Sequence, residues 1–184
     1  MTGVQTCALP ILESITIKET IEWQSFKISD LFEVIGTKSL DENKVCFVSD
    51  GINFVGRVNQ NNGVKGKIVK QNFEPNAKNT ITSTVIGNYK YVKLQRESYY
   101  CSQNINKLTP KFENRNKYII YFLISYIQKF VSTFDGQQAG YKLEDLQNHI
   151  ISLPVLDDKI NFSFMESFIK AIEKECIKDV ILFY

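Results

Sequence analysis

Residues 79–110 read NTITSTVIGNYKYVKLQRESYYCSQNINKLTP. β-branched side chains dominate residues 80–86, as a pleated, half-buried surface favours. Gly87-Asn88 then gives a two-residue hairpin signal, because glycine enters the positive-φ position of a type II′ turn without steric cost. The expectation is two strands joined at Gly87-Asn88, a short aromatic strand at Tyr99 and Tyr100, and a polar loop over residues 102–106. Past the turn, Tyr89, Tyr91, Lys93 and Gln95 share one face, and Lys90, Val92, Leu94 and Arg96 the other. No acid lies between Asn79 and Arg96. Aromatic, basic and amide groups on one hairpin suit a polyanion with readable base edges. They also suit a plain solvated hairpin.

Upstream, residues 23–34 (WQSFKISDLFEV) predict a short strand, a turn or single helical turn capped by Ser29 or Asp30, and a strand through Val34. Residues 36–39 (GTKS) form a polar loop. They lack the upstream glycine and spacing of a phosphate loop, so a nucleotide site is rejected. Residues 45–49 and 52–58 read as strands around an Asp50-Gly51 turn. Residues 59–66 (NQNNGVKG) form a loop tightest at Asn62-Gly63. Residues 67–69 pair back as a strand, and residues 71–79 are irregular around Pro75.

Downstream, residues 107–110 lead to the main helix, 114–134, with Asn114 or Asn116 as N-cap. It is apolar nearly all round, the mark of a buried helix. Ser125, Gln128 and its tyrosines interrupt it too often for a membrane span. Residues 135–140 (DGQQAG) end it, and residues 141–148 form a short amphipathic helix. Residues 150–155 read as a strand that Pro154 assigns to a sheet edge. Asp157-Asp158 turns the chain. Ser163 with Glu166 forms a capping-box pattern opening a last helix, whose stripe is Phe164, Phe168, Ile169, Ile172, Cys176 and Val180.

The two ends are read differently from the middle. Residues 1–11, MTGVQTCALPI, match the translation of a sequencing-adapter read-through and are expected to be an assembly scar, excluded from fold reasoning. Residues 12–22 read as a linker. The natural N-terminus is expected to lie outside this sequence, and the apolar ending Ile181-Leu182-Phe183-Tyr184 reads as cut rather than finished. Leu12 to Tyr184, roughly 170 residues, suffice for one domain with a sizeable core. The net charge is only +2, but twelve basic residues stand against three acids between Arg57 and Lys117. A basic middle flanked by acidic ends fits either one positive face with an anionic partner or an ordinary solvated face. Outside the scar, Cys46, Cys101 and Cys176 are odd in number and widely spaced, which argues against a disulfide framework or metal site. Each is expected to be a small buried hydrophobe in a protein of the reducing cytoplasm.

Catalytic patterns are missing. No GxGxxG follows a strand, and no Asn-Pro-Pro-Tyr type motif for base methylation occurs. Asp157, Asp158 and Lys159 read as a polar turn rather than a nuclease cluster. His149, the single histidine, has no neighbours that would build a nucleophilic site on it. The sequence argues for a binding module without catalytic residues, metal or cofactor.

Several segments, in order, carry a resemblance. They are residues 23–28 (WQSFKI) through Leu31-Phe32-Glu33; 61–66 (NNGVKG); 79–82 (NTIT) with Gly87; and 99–105 (YYCSQNI). Next come 108–111 (LTPK) before the apolar helix, and Lys142-Leu143 after the glutamine loop. Residues 150–154 followed by Phe164-Met165-Glu166 complete the set. Over residues 21–179 the chain resembles the target recognition domain of restriction-modification DNA specificity subunits of type I systems, also found fused to some type II enzymes.

The resemblance implies a mixed α+β fold. Its parts would be a twisted, antiparallel-rich sheet with hairpins, one buried helix, a short helix, and a C-terminal helix leading towards a spacer helix. The recognition domain would span residues 23–156, and residues 157–184 would begin the spacer. The implied partners are double-stranded DNA, methyltransferase (modification) and restriction subunits, and a second recognition domain or a homodimer partner. Phosphates supply affinity and base edges specificity in such a reader. The phosphate candidates are Arg57, Lys65, Lys67, Lys90 and Lys142. The base-reading candidates are Asn62, Asn88, Gln103, Asn104, Gln137 and Gln138, whose amides match adenine's N6 and N7. Tyr89, Tyr91 and Tyr141 would pack on sugars or on the methyltransferase. A fused restriction-modification enzyme and a protein-interaction module remain as alternatives.

Overall fold

The computed structural model describes residues 21–182, with side chains through Lys178. The adapter-like residues 1–11, most of the linker, and the side chain of Val180 lie outside the described set. The chain divides into two compact units. The larger holds Phe26–Arg115 and Leu123–Ile151; the smaller holds, of the described chain, residues 21–25, Asn116–Phe122 and residues 152–182. The architecture is mixed α+β, as expected.

The larger unit contains two four-stranded sheets. One has the order β2-β9-β6-β7, built from β2 (Phe32–Gly36), β6 (Thr80–Thr84), β7 (Val92–Gln95) and β9 (Ile105–Pro110), all antiparallel. The other has the order β3-β5-β4-β8, from β3 (Phe47–Val48), β4 (Ile52–Val55), β5 (Val64–Ile68) and β8 (Tyr99–Cys101). Here β4 and β8 run parallel. A single helical turn, α1 (Ile28–Leu31), opens the unit, and the Asp30 carboxylate accepts from the Lys27 N–H at 2.9 Å. Asp30 is thus the capping side chain, reaching back from inside the turn.

Strand β6 explains how the two sheets join. Its five residues, Thr80 to Thr84, are all buried. A buried hydroxyl must find a partner or its desolvation goes uncompensated. The Thr80 and Tyr99 hydroxyls share a hydrogen bond of 2.8 Å, which links the sheets. Thr82 accepts from Gln95 Nε2 at 3.0 Å, and Thr84 Oγ1 from the Tyr91 N–H at 2.7 Å. On the other face, Ser83 and Tyr141 share a 2.7 Å bond. Burial pushes the Tyr141 phenol up to about 12. Among the described residues no buried side-chain nitrogen or oxygen lacks a partner.

The hairpin register follows the prediction and its length does not. Thr80↔Gln95 through Ser83↔Val92 centre the pair on Gly87-Asn88, but the ladder stops at Thr84. Residues 85–91 leave it as an open loop. Strand β9, read as a loop and its continuation, lies in the interior of its sheet, paired with both β2 and β6. Helix α2 (Lys117–Ser132) starts at Asn116, whose Oδ1 accepts from the Tyr118 N–H at 2.9 Å. It is not buried all round: Tyr121, Ser125 and Lys129, one per turn, are exposed. Its Gln128 clasps β7 by accepting from Val92 N–H at 2.9 Å and donating to the Lys90 carbonyl at 2.8 Å. Helix α3 (Leu143–Asn148) is short and amphipathic, with Leu146 buried.

A three-stranded sheet has the order β1-β10-β11, and helix α4 (Phe162–Leu182) follows it. The strands are β1 (Glu22–Lys27), β10 (Ile150–Leu156) and β11 (Lys159–Ile160). The edge assignment made from Pro154 is wrong, because β10 lies between β1 and β11. β11 pairs only with Val155 and Leu156, so its ladder needs no N–H from Pro154. Asp157 and Asp158 both take positive φ, 50° and 57°, which a type I′ turn requires. The cap of α4 is Asn161, whose Oδ1 accepts from Phe164 N–H at 2.9 Å. Glu166 instead pairs with Lys170 at 2.5 Å, and that bond lowers the carboxyl's pKa. Of the cysteines, Cys101 is buried, and Cys46 and Cys176 are exposed, contrary to expectation.

Candidate nucleic-acid interface

Four loops of the larger unit meet, and hydrogen bonds set their spacing. The hairpin tip, residues 85–91, reaches the loop between β8 and β9 through Val85 N–H to the Asn104 carbonyl, 2.9 Å. It reaches the glutamine loop through an antiparallel bridge between Gly87 and Gly136, with Gly136 N–H on the Asn88 carbonyl at 2.9 Å. Both glycines have φ near +135° (136° and 133°), a region closed to most side chains. The fourth loop, between β4 and β5, is tied to β7. Asn62 Nδ2 donates to the Leu94 carbonyl at 2.8 Å, and Gln95 Nε2 to the Asn62 carbonyl at 3.2 Å.

Two grooves adjoin in this cluster and share Arg57, Ile86 and Gly87 as walls. One, about 370 Å³, adds Asn88, Gln137 and Gln138. The other, about 380 Å³, adds Lys65, Ser102 and Gln103, and also Asp41 and Glu42. A third groove, about 520 Å³, holds Asn59, Tyr89, Tyr91 and Lys93. There the Lys93 ammonium lies 5.5 Å from the centre of the Tyr91 ring.

The fourteen sequence candidates separate on this geometry. Arg57 is exposed and makes no hydrogen bond or ion pair among the described residues. Among the described residues, Gln103, Gln137 and Gln138 are exposed with unengaged amides, and Asn88 and Asn104 bond only through their main chains. Lys142 is exposed at the start of α3. Lys65 pairs with Glu42, and Lys67 with Asp50 at 3.7 Å. Tyr89 is 67% exposed, and Tyr91 is half-buried.

Three candidates have internal work instead. Asn62 holds a left-handed turn (φ 53°) and its amide is engaged on Leu94. Tyr141 is buried, bonded to Ser83 and packed edge-on to Phe130. Lys90 is 1% exposed, and its ammonium donates to the main-chain carbonyls of Gly87 and Phe134. A buried lysine cannot neutralise a phosphate. Alternation along the hairpin already put Lys90 on the face of Val92 and Leu94, which is buried; it was taken as a phosphate contact on its charge alone.

Sequence reasoning missed Asn59, whose Oδ1 accepts from Lys93 Nζ at 2.8 Å, and the Asp41-Glu42 rim. Neither carries a motif. Electrostatically the two shared-wall grooves differ. Arg57 and Lys65 face Asp41 and Glu42 in one, while the glutamine groove has a cation and no acid. An anionic ligand with hydrogen-bonding edges is favoured in the second.

Comparison with known proteins settles the family. The model of the type I restriction modification DNA specificity domain matches residues 20–182. The chain belongs to that family. Among solved structures, this specificity domain is similar to the type I restriction-modification S subunit from M. genitalium. That match has a TM-score of 0.59 and 18% identity, and covers 76% of this chain and 36% of that one. It is also similar to the HsdS subunit from Thermoanaerobacter tengcongensis (TM-score 0.61, 13% identity, 91% of this chain and 43% of that one). A chain from work on complex assembly and conformational transition of the type I system matches with TM-score 0.63 and 13% identity, over 91% of this chain and 44% of that one. No curated protein sequence matches. At these identities the structures speak for the fold, and the specificity domain spans about two-fifths of their length. The family assignment makes this a DNA target-recognition module of a restriction-modification system, a specificity element and not a catalytic one. Among the described residues no helix is long and apolar enough to cross a membrane.

Proposed function

We propose that this specificity domain reads its target with the loop cluster around Arg57. The supporting observation is the groove in which one free guanidinium stands beside the unengaged amides of Asn88, Gln137 and Gln138, with no acid among its walls. Arg57 and Lys142 contact phosphates, and Lys65 and Lys67 exchange their carboxylate partners for phosphate on binding. Exposed ion pairs are weak enough for that exchange. Asn88, Gln103, Asn104, Gln137 and Gln138 face base edges, where a bidentate amide selects adenine in the major groove. Tyr89 packs against the sugar-phosphate chain.

In the assembled system the domain, residues 23–156, brings methyltransferase and restriction subunits to the site from the cytoplasm. A second recognition domain, or a second copy, reads the other half of the target. Residues 157–184, whose helix α4 opens at Phe162 after the β10-β11 hairpin, lead into the spacer between the two.

Affinity for random duplex DNA across a salt series tests the reading. With four phosphate contacts, log affinity should fall against log salt with a slope of about −3 to −4. Absence of duplex binding at low salt, both alone and with a cognate methyltransferase, would overturn it.

A further inference from the structure

Lys90 is the one buried ammonium among the described residues, and it sits where two recognition loops meet. Its Nζ donates to the carbonyls of Gly87, 3.2 Å away in the hairpin tip, and Phe134, in the turn after α2. Its main-chain N–H donates to Asp135 Oδ1 at 2.8 Å. Its carbonyl accepts from Gln128 of α2 at 2.8 Å. One residue of the hairpin therefore makes contacts on both sides of the junction with its side chain, its N–H and its C=O. Beyond Asp135 the chain continues into Gly136, which bridges Gly87, and then into Gln137 and Gln138.

Burying a charge is unfavourable unless its donors are met, and removing a partner leaves carbonyls unsatisfied. Packing alone would be served by an apolar side chain, so the ammonium is there for its directed bonds. One bond ends on the backbone of the hairpin tip, and the other on Phe134, the residue that leads into the glutamine loop. We propose that Lys90 is a positioning residue. Its buried ammonium clasps the glutamine loop to the hairpin tip and presets the distance between Asn88 and the Gln137-Gln138 pair. The consequence for specificity rests on the function proposed above; the clasp itself does not.

Lys90→Met keeps the length and apolar stem and removes the three donors. Gly136→Ala attacks the same junction by another route. Its methyl would have room, the nearest atom being Ala139 Cβ at 3.7 Å, but φ of +133° is strained for alanine. Amide hydrogen exchange is measured on the whole chain, wild type and both variants. The expected result is exchange at Gly136 and Ala139 at least roughly tenfold faster in both, with the β9 amides unchanged, because opening is local. Equal protection of the loop in Lys90→Met and wild type, or faster exchange everywhere, overturns the clasp.

The second readout is discrimination between a duplex selected from a random pool and random duplex. Lys90→Met should lose roughly tenfold in that ratio, the effect of about one misplaced base contact. Affinity for random duplex and its salt slope should stay as in wild type, whereas loss of a phosphate contact would lower the slope by about one. A lowered slope returns Lys90 to the phosphate-binding set and overturns the proposal. A wild type that selects no sequence overturns the recognition reading and the specificity consequence together. Hydrogen exchange then judges the clasp by itself.

Discussion

Two amide-rich loops of the larger unit look alike in sequence and differ in state. Residues 59–62 read NQNN and residues 137–138 read QQ. In the first, Asn59 accepts from Lys93, Asn61 Nδ2 donates to the Val64 carbonyl at 3.1 Å, and Asn62 donates to Leu94. Asn61 and Asn62 also hold positive φ, 47° and 53°. In the second, neither amide is engaged among the described residues, and the positive φ falls on Gly136 next to them. Asparagine's short side chain both tolerates the left-handed region and reaches local backbone. Glutamine is one carbon longer and does neither as well, so glycine takes the turn and leaves the amides free. Amide content alone does not mark a reading surface. What marks it is amides left without a partner, even where the residue also holds a turn, as Asn104 does at φ 62°.

The largest expected effect follows from that contrast. A Gln137→Ala, Gln138→Ala double variant should lose roughly tenfold to a hundredfold in discrimination between selected and random duplex, with folding unchanged, since each good base contact is worth about 1–3 kcal/mol. Competition binding with the two duplexes measures it. Equal loss on both duplexes would make the loop a general DNA contact and erase the distinction.

The asparagine loop should answer in stability instead. Asn62→Ala removes a half-buried hydrogen bond and puts alanine at φ 53°, for a combined loss of about 1–2 kcal/mol. Urea unfolding reads it as a lower midpoint at unchanged slope. Asn62→Gly, which relieves the backbone and still lacks the amide, should recover about half. If the alanine variant unfolds with wild type, the loop's amides are not structural and the comparison fails from the other side.

How far the sequence could be read varies with the kind of physics involved. The register centred on Gly87-Asn88 was readable, although the two-residue turn expected there is an open loop over residues 85–91. So were β1-α1-β2, the Asn116 cap and the Asp157-Asp158 turn. Strand β9, INKLTP, was not: its Asn106 is buried and its proline closes the strand, features that argue against an interior strand until β2 and β6 are in place. Pro154 misled in the same way, since an edge is a property of the sheet and not of the residue. At the candidate site, residue types were readable and their availability was not. Lys90 and Arg57 are equally basic in sequence. One is turned inward because the hairpin ladder ends at Thr84 and the tip folds onto α2, an outcome of contacts 44 and 45 residues away.

Arg57 gives the finest test of the same distinction between engaged and free groups. It is a wall of both grooves and has no partner among the described residues, while Lys65 beside it is held by Glu42. A free cation gives its full charge to an incoming phosphate. A paired one must first release its carboxylate, which then repels the same phosphate. Arg57→Gln should therefore reduce the salt slope by about one, at little change in folding, because no hydrogen bond or ion pair among the described residues is lost. Lys65→Gln should change it by less, since Glu42 loses its counter-charge in the same step. The difference is small, about half a unit of slope by the counterion argument, and needs a dense series at low salt. Equal slopes for the two variants would mean that the Lys65–Glu42 pair opens freely in solution, and that pairing in the unbound protein does not predict which cation meets the phosphate.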